Sequence, residues 1–324
     1  LAVALEHLVG DGRPLAGRLL VVTPDGETAR ATADDLTHHL APRGRGQVLA
    51  IVDEATGPYD ELVPDRDAVL ERAAALFQAL VGDWTVAVAP AEALARRVPS
   101  RRAFEAACVP IARGERVERD DLVAALDRAG YHRTPLVEEP GTYAIRGAVV
   151  DLYPPYLELP ARLETFGDEI ERIRLFDPAS QLSGRDEELI WIHPARTALV
   201  PTDADEREAA AARLREVCDA VDQPTATTER LIEDLLDARA FVGAAGFFPA
   251  LDPEPAGALD YLPRHLPVAV DDPVGVRLAL EKRAAALDGA WERRIARGAP
   301  AFPPRAHLAA PAELLDAIER RAAF

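Results

Sequence analysis

Short apolar runs alternate with segments of helical periodicity over residues 1–103, and this pattern constrains the fold most. Strands are predicted at 19–22, 48–52 and 85–89. The residues that recur at helical spacing between these runs are Ala29, Ala33, Leu36, Leu40, Val69, Ala73, Leu76 and Leu80. Asp25 is a plausible cap of the first helix, and a further helix is predicted over 91–97. Strands that alternate with helices favour an α/β fold with a mainly parallel sheet.

The pattern changes over residues 104–194. One helix is predicted over 122–129, beginning after Asp120 or Asp121 and ending at Gly130. Four strand-like runs follow and are separated by turns rich in proline and glycine. They lie at 143–153, 162–166, 169–176 and 189–192. Several strands with one helix predict a small α+β domain with an antiparallel sheet.

Helical periodicity resumes over residues 195–324. Ala210, Leu214, Val217 and Val221 share one predicted helical face. The sequence Asp271-Asp272-Pro273 after the apolar run 267–270 has the chemistry of a helix start. We interpret this region as completing the domain begun by 1–103, so that 104–194 is an insertion into it.

Charge and lysine content limit the function classes. The chain has 37 basic and 55 acidic residues and a net charge of −18, the wrong sign for non-specific binding to nucleic acid. Its only lysine, Lys282, lies outside any glycine-rich loop, so a phosphate-binding Walker A motif is missing from the sequence. We therefore expect no ATP hydrolysis. Residues 51–55 resemble a magnesium-binding Walker B edge, but a strand end with solvated acids is the simpler interpretation.

The sequence contains no motif for a metal site, a catalytic nucleophile or a membrane span. The seven histidines lack zinc-ligand spacing, and Cys108 and Cys218 lie too far apart for a metal motif. No cofactor, metal or catalytic nucleophile is expected. No apolar run approaches the roughly 18 residues of a membrane span, so we expect no membrane contact. The two cysteines fit no disulfide framework, which favours a reducing, cytoplasmic location. A chain without any methionine is expected to be a piece of a longer protein.

The strand-rich middle holds the candidate site. Arg146 is followed by Gly147 within the strand-like run 143–153, and Arg162, Glu164 and Phe166 alternate onto one face of the next strand. Arginines beside an exposed aromatic residue are typical of a protein–protein interface. The alternative is that both arginines pair with nearby acids while Phe166 belongs to the core.

Two segments carry a family resemblance. Residues 139–154, EPGTYAIRGAVVDLYP, resemble the signature pGeyavRGgilDiFP, and residues 162–177, RLETFGDEIERIRLFD, resemble RieffGdeIesiRrFD. The pair is shared by the excision-repair helicase UvrB and the N-terminal module of bacterial transcription-repair coupling factors (Mfd). Residues 20–25, 58–65, 246–251 and 259–263 are similar to the coupling factors. UvrB would also show a Walker A motif and a long aromatic-rich hairpin, and this sequence has neither.

The resemblance implies a fold and partners. The fold would be a degenerate RecA-like, P-loop-less parallel-sheet domain with an inserted α+β domain, as in UvrB domains 1a, 2 and 1b. Arg146, Arg162 and Phe166 would bind UvrA. A C-terminal domain of the same full-length protein would mask that surface, and RNA polymerase and DNA would be bound by domains outside this chain. Leu182 departs from the family, which commonly has arginine there.

Two other interpretations stay open from the sequence. The chain could be a fragment of a UvrB-like helicase that lacks its phosphate loop, or a stand-alone repair-like domain with an unrelated partner. The continuation of the gene would discriminate between the first of these and a coupling factor.

Overall fold

A computed structural model describes residues 18–40, 47–53, 56–60, 65–196, 198–237 and 243–321. The strands are β1 (Leu19–Thr23), β2 (Gln47–Ala50), β3 (Trp84–Pro90), β4 (Arg97–Val98), β5 (Val109–Ala112), β6 (His132–Arg133), β7 (Thr142–Arg146), β8 (Val149–Leu152), β9 (Ala161–Phe166), β10 (Glu169–Phe176), β11 (Ser183–Glu187), β12 (Leu189–Ile192), β13 (Ala256–Gly257) and β14 (Val268–Val270). The α-helices are α1 (Gly26–Leu40), α2 (Arg66–Val81), α3 (Ala91–Ala95), α4 (Arg101–Ala106), α5 (Arg119–Ala129), α6 (Ala204–Asp219), α7 (Thr225–Leu236), α8 (Phe248–Leu251), α9 (Pro273–Ala296) and α10 (Pro311–Glu319).

The chain forms two compact units. The first contains the described residues of Leu1–Ala68, Ala75–Ser100 and Val200–Phe324, and the second contains those of Val69–Ala74 and Arg101–Leu199. The predicted boundaries, with 104–194 inserted between the two parts 1–103 and 195–324 of one domain, stay a prediction. Within the described part of the chain, no helix is long and apolar enough to cross a bilayer.

The first unit is built on a parallel sheet of order β14-β1-β3-β2. Leu20 of β1 pairs with Val268 of β14 on one side and with Ala87 of β3 on the other. Strands that precede and follow the middle segment therefore belong to one sheet. Every residue of β1 is buried, as expected for a strand with neighbours on both edges and helices on its faces. The predicted α/β class with a parallel sheet is confirmed.

Helix α1 follows its predicted pattern. Ala29, Ala33, Leu36 and Leu40 are all buried and pack with apolar residues of β1 and β3. The predicted cap is also present, because the backbone N–H of Thr28 donates to Asp25 Oδ1 at 2.8 Å.

Two helices of residues 195–324, α6 and α9, can be compared with the buried face and the cap predicted from the sequence. On α6, Ala210 and Leu214 are buried as predicted, but Cys218 continues the buried face in place of Val217. Val221 lies beyond the end of this helix, so its predicted helical role was wrong. Asp272 caps α9 as predicted, accepting from the backbone N–H of Gly275 at 3.0 Å.

The second unit contains a six-stranded sheet of order β11-β10-β9-β8-β7-β6. Adjacent strands of this sheet are antiparallel, except for the parallel pair β6 and β7. The run predicted as one strand over 143–153 is instead the hairpin β7–β8, because Gly147 adopts a φ of 61° between the two strands. Strand β11 was not predicted, and the predicted strand at 189–192 pairs with β5 in a separate sheet.

Helix α5 and one face of the six-stranded sheet contribute to the core of the second unit. Leu122 and Leu126 of the helix are buried in one cluster with sheet residues such as Val150, Leu163 and Ile173. The helix ends at Gly130 with a φ of 91°, as predicted. The prediction that Asp120 or Asp121 precedes the helix was wrong, because both lie in its first turn, where acidic residues complement the helix dipole.

Candidate functional site

A buried carboxylate lies at the centre of the candidate site. Asp151 of β8 pairs in register with Ala144 of β7 and with Arg162 of β9. Its neighbours Val150 and Leu152 point into the core, so alternation places Asp151 on the opposite face of the sheet. Its side chain is nevertheless 0% exposed, because charged residues of adjacent strands cover it.

Arg162 provides most of that cover. Its Nε donates to Asp151 Oδ1 at 2.7 Å and its Nη2 donates to Asp151 Oδ2 at 3.0 Å, which is a bidentate ion pair. The guanidinium also lies over the ring of Phe176, with 4.4 Å between Cζ and the ring centroid. The hydrogen bonds to Asp151 raise the pKa of Arg162 above its usual value, so this side chain stays charged.

Further hydrogen bonds connect Arg162 to the turn that precedes β11 and to the first residue of that strand. Its Nη1 donates to the backbone carbonyl of Gln181 at 3.3 Å and to Ser183 Oγ at 3.4 Å, and its Nη2 donates to Gln181 Oε1 at 3.4 Å. Gln181 itself has a φ of 60°, a conformation that few side chains other than glycine adopt readily. Only 15% of the Arg162 side chain is exposed.

Arg146 reaches the same carboxylate from the other side. It ends β7, and its Nη2 donates to Asp151 Oδ2. Its side chain is 45% exposed, because the chain turns away at Gly147 immediately afterwards. The two arginines therefore share one buried acid but differ threefold in exposure.

Phe166 completes the site. It ends β9, pairs with Glu169 across the β9–β10 hairpin, and is 77% exposed. Gly167, with a φ of 60°, makes the turn that leaves the ring in solvent. Alternation along β9 places Phe166 on the same face as Glu164 and Arg162, and Glu164 forms an ion pair with Arg174 of β10. We call Arg146, Asp151, Arg162 and Phe166 the arginine face.

These positions agree with one part of the alternative interpretation and contradict its other part. Both arginines do pair with a local acid, as the second interpretation held, but Phe166 is not a core residue. The acid itself was not identified from the sequence as part of the site. A signal existed, since Asp151 interrupts an otherwise apolar strand of Val149, Val150 and Leu152, where an unpaired carboxylate would be costly.

The sheet of the first unit presents a different chemistry where a RecA-like domain would bind phosphate. After β1, the carboxylate of Asp25 already accepts the backbone N–H of Thr28, which lowers the pKa of Asp25. After β2, Asp53 bonds Arg96 Nε at 2.7 Å and lies 3.7 Å from Arg283 Nη2. The expectation of solvated acids at this strand end was wrong for Asp53, which is 15% exposed and paired. Glu54 and Ala55 of the same segment lie outside the described residues.

Comparisons with known proteins give one family match and several relatives. Residues 109–197 match the UvrB interaction domain family. A transcription-repair-coupling factor of Myxococcus xanthus is 34% identical over 287 residues, which is 86% of this chain and 23% of the relative. That of Escherichia coli is 34% identical over 188 residues, 58% of this chain and 16% of the relative. The UvrABC system protein B of Halobacterium salinarum is 37% identical over 114 residues, 35% of this chain and 16% of the relative.

An α/β unit with a parallel sheet, together with a separate unit that carries the arginine face, therefore defines a UvrB-like protein with a UvrB interaction domain. More particularly, the chain resembles the UvrB-like N-terminal module of the transcription-repair coupling factors over most of its own length. It spans less than a quarter of the length of these relatives.

Proposed function

We propose that this chain recruits UvrA and thereby links a stalled RNA polymerase to nucleotide excision repair, in the bacterial cytoplasm. The observation that carries the proposal is the 77% exposed Phe166 on the same sheet face as two arginines, within the UvrB interaction domain. Soluble monomeric surfaces commonly expose single apolar residues, but an aromatic ring beside arginines has the composition of an interface hot spot.

Local pairing, rather than overall charge, would supply the specificity. Residues 104–194 contain 10 arginines and 18 acidic residues, so the segment as a whole does not attract an acidic partner. The arginine face has two arginines for one carboxylate and is therefore locally positive. Such a patch attracts an acidic group of the partner, whereas the rest of the surface of this segment, which is negatively charged, repels it.

Removal of the aromatic ring tests this function. Phe166→Ala is expected to weaken UvrA binding by about 2 kcal/mol, or roughly 30-fold, as for a buried interface anchor. Leu189→Ala is the matched control, because Leu189 is 45% exposed in the same unit but lies on β12. Affinity would be measured by calorimetry with purified UvrA. Equal affinities of the two variants, or no binding by the unmodified chain, would remove the support for the proposal.

We further propose that the chain has no ATPase activity, with any motor in domains outside it. A phosphate group at the start of α1 would have to compete with the Asp25 carboxylate for the backbone N–H of Thr28. Asp53, which follows β2, already forms ion pairs with Arg96 and Arg283. Millimolar ATP with magnesium is therefore expected to leave the melting temperature unchanged, since only a ligand of the native state raises it. A rise of several degrees in differential scanning fluorimetry would contradict this.

Regulation of the same surface is a third proposal. A face that recruits UvrA would do so indiscriminately if it were always open, so we propose that a C-terminal domain of the full-length protein covers it. DNA and RNA polymerase would be bound by other domains of that protein. A cover closed 99% of the time would weaken apparent affinity about 100-fold. Full-length protein and this chain should then differ by that factor in UvrA titrations, and equal dissociation constants would exclude the cover.

One alternative function has an observation in its favour. The similarity to UvrABC system protein B over 114 residues fits a fragment of a UvrB-like helicase. The match of 86% of the chain to a coupling factor favours the first proposal instead. A polymerase-binding domain and a separate motor in the continuation of the gene would support the adaptor, whereas a second helicase half directly after this segment would support the alternative.

A further inference from the structure

The two arginines of the arginine face differ in how many hydrogen-bond donors they still have available. A guanidinium has five N–H donors. Arg162 has five bonds, two to Asp151, two to Gln181 and one to Ser183. Its planar guanidinium group also lies over the ring of Phe176. An incoming group would have to break an existing bond in order to contact Arg162.

Arg146 is in the opposite situation. Within the described part of the chain it has one hydrogen-bond partner, Asp151, and 45% of its side chain is exposed. Its other N–H donors therefore remain available to a partner. They lie on the same sheet face as the ring of Phe166, which is 77% exposed.

The buried charge of Asp151 explains the role of Arg162. Asp151 is fully buried, and a buried carboxylate requires compensation by a cation. With Arg162 in place, both carboxylate oxygens are already bonded, and Arg146 needs to give only one donor. Without Arg162, Arg146 would be the sole cation at Asp151 and would be drawn into the sheet, away from a partner.

We infer that Arg146 and Phe166 contact the partner, whereas Arg162 is a positioning residue that neutralises Asp151 so that Arg146 stays available. The inference rests on the proposed function and makes it more specific. The partner contributes a carboxylate to the donors of Arg146 and an apolar pocket to the ring of Phe166. Arg162 does not itself touch the partner.

A rescue experiment separates positioning from contact. Arg162→Gln is expected to lower UvrA affinity about tenfold, because it leaves Asp151 with Arg146 alone. Adding Asp151→Asn removes the buried charge that Arg162 compensates. The double variant is expected to return to within about threefold of the unmodified chain. Arg146→Gln, which removes a contact, should lose about tenfold or more both alone and together with Asp151→Asn.

Failure of the rescue would overturn the inference and is distinct from failure of the proposed function. If the unmodified chain binds UvrA but the double variant stays as weak as Arg162→Gln, Arg162 contacts the partner directly. If the unmodified chain does not bind, the function itself is wrong. Circular dichroism and thermal unfolding of each variant would show whether it folds.

A second measurement needs no variant. Phenylglyoxal modifies accessible arginines, and mass spectrometry locates the adducts. Arg146 is expected to react in the isolated chain and to be protected by UvrA, while Arg162 stays unmodified in both samples. Modification of Arg162 in the isolated chain with protection by UvrA would overturn the assignment.

Discussion

Asp151→Ala is expected to destabilise the second unit by about 3 to 5 kcal/mol, the usual cost of removing one partner of a buried ion pair. The variant leaves Arg162, which is 15% exposed, with a buried guanidinium and no carboxylate. The half-exposed Arg146 adds little to this loss of stability, because water can solvate its guanidinium once the carboxylate is removed. Urea unfolding followed by circular dichroism would measure the loss. Asp151→Asn should cost less, because the amide keeps an oxygen acceptor.

A second ion pair of the same sheet is the control. Asp186 of β11 forms a bidentate pair with Arg172 of β10 at 3.0 and 2.9 Å, and both side chains are 47% exposed. Asp186→Ala is expected to cost less than about 1 kcal/mol, as for solvent-screened pairs. Similar losses for Asp151→Ala and Asp186→Ala would show that burial of Asp151 does not control stability.

Arg146→Glu is expected to have the largest effect on partner binding, about 2 to 5 kcal/mol if the contact is desolvated, or roughly 30-fold and more. The substitution replaces the available donors by a carboxylate, which would repel both Asp151 and an acidic group of the partner. Affinity for purified UvrA would be measured at two salt concentrations, because loss of a charge contact also reduces the salt dependence.

The control for charge reversal is Arg113→Glu. Arg113 is 52% exposed in the same unit and pairs with Glu188, so the net charge changes equally while the arginine face is intact. Its affinity should stay close to that of the unmodified chain. Unchanged affinity of Arg146→Glu, with a normal unfolding curve, would refute the assignment of Arg146 as a contact residue.

Much of the local structure could be predicted because it depends on neighbours in the chain. The periodicity of Ala29, Ala33, Leu36 and Leu40 placed a helix and its buried face, and all four residues are buried. Capping by Asp25 and Asp272 was equally predictable, since each carboxylate bonds a backbone N–H three residues away. The residues of the candidate site came from alternation on β9 and from two family signatures.

Pairings between distant residues were harder to predict. The run 143–153 reads as one apolar strand, and only the left-handed backbone at Gly147 divides it into a hairpin. The strand at 189–192 reads like its predecessors, but it pairs with β5, nearly 80 residues earlier in the chain. Strand β11 has the sequence SGRDE, which has no apolar alternation to indicate it. It forms because β10 offers it a hydrogen-bonding edge.

The amino-acid sequence by itself determined the α/β class and the lack of a Walker A motif, and it singled out Arg146, Arg162 and Phe166 as candidate site residues. Only the tertiary structure decided how exposed each of them is and which hydrogen bonds it forms. The register of β8 with β9 brings Asp151 against Arg162, and the turn at Gln181 supplies the remaining acceptors. Sequence spacing specifies the face on which a strand residue lies, but hydrogen bonds and burial depend on which strands become neighbours. For that reason two arginines of equal charge, in similar sequence contexts, differ threefold in exposure.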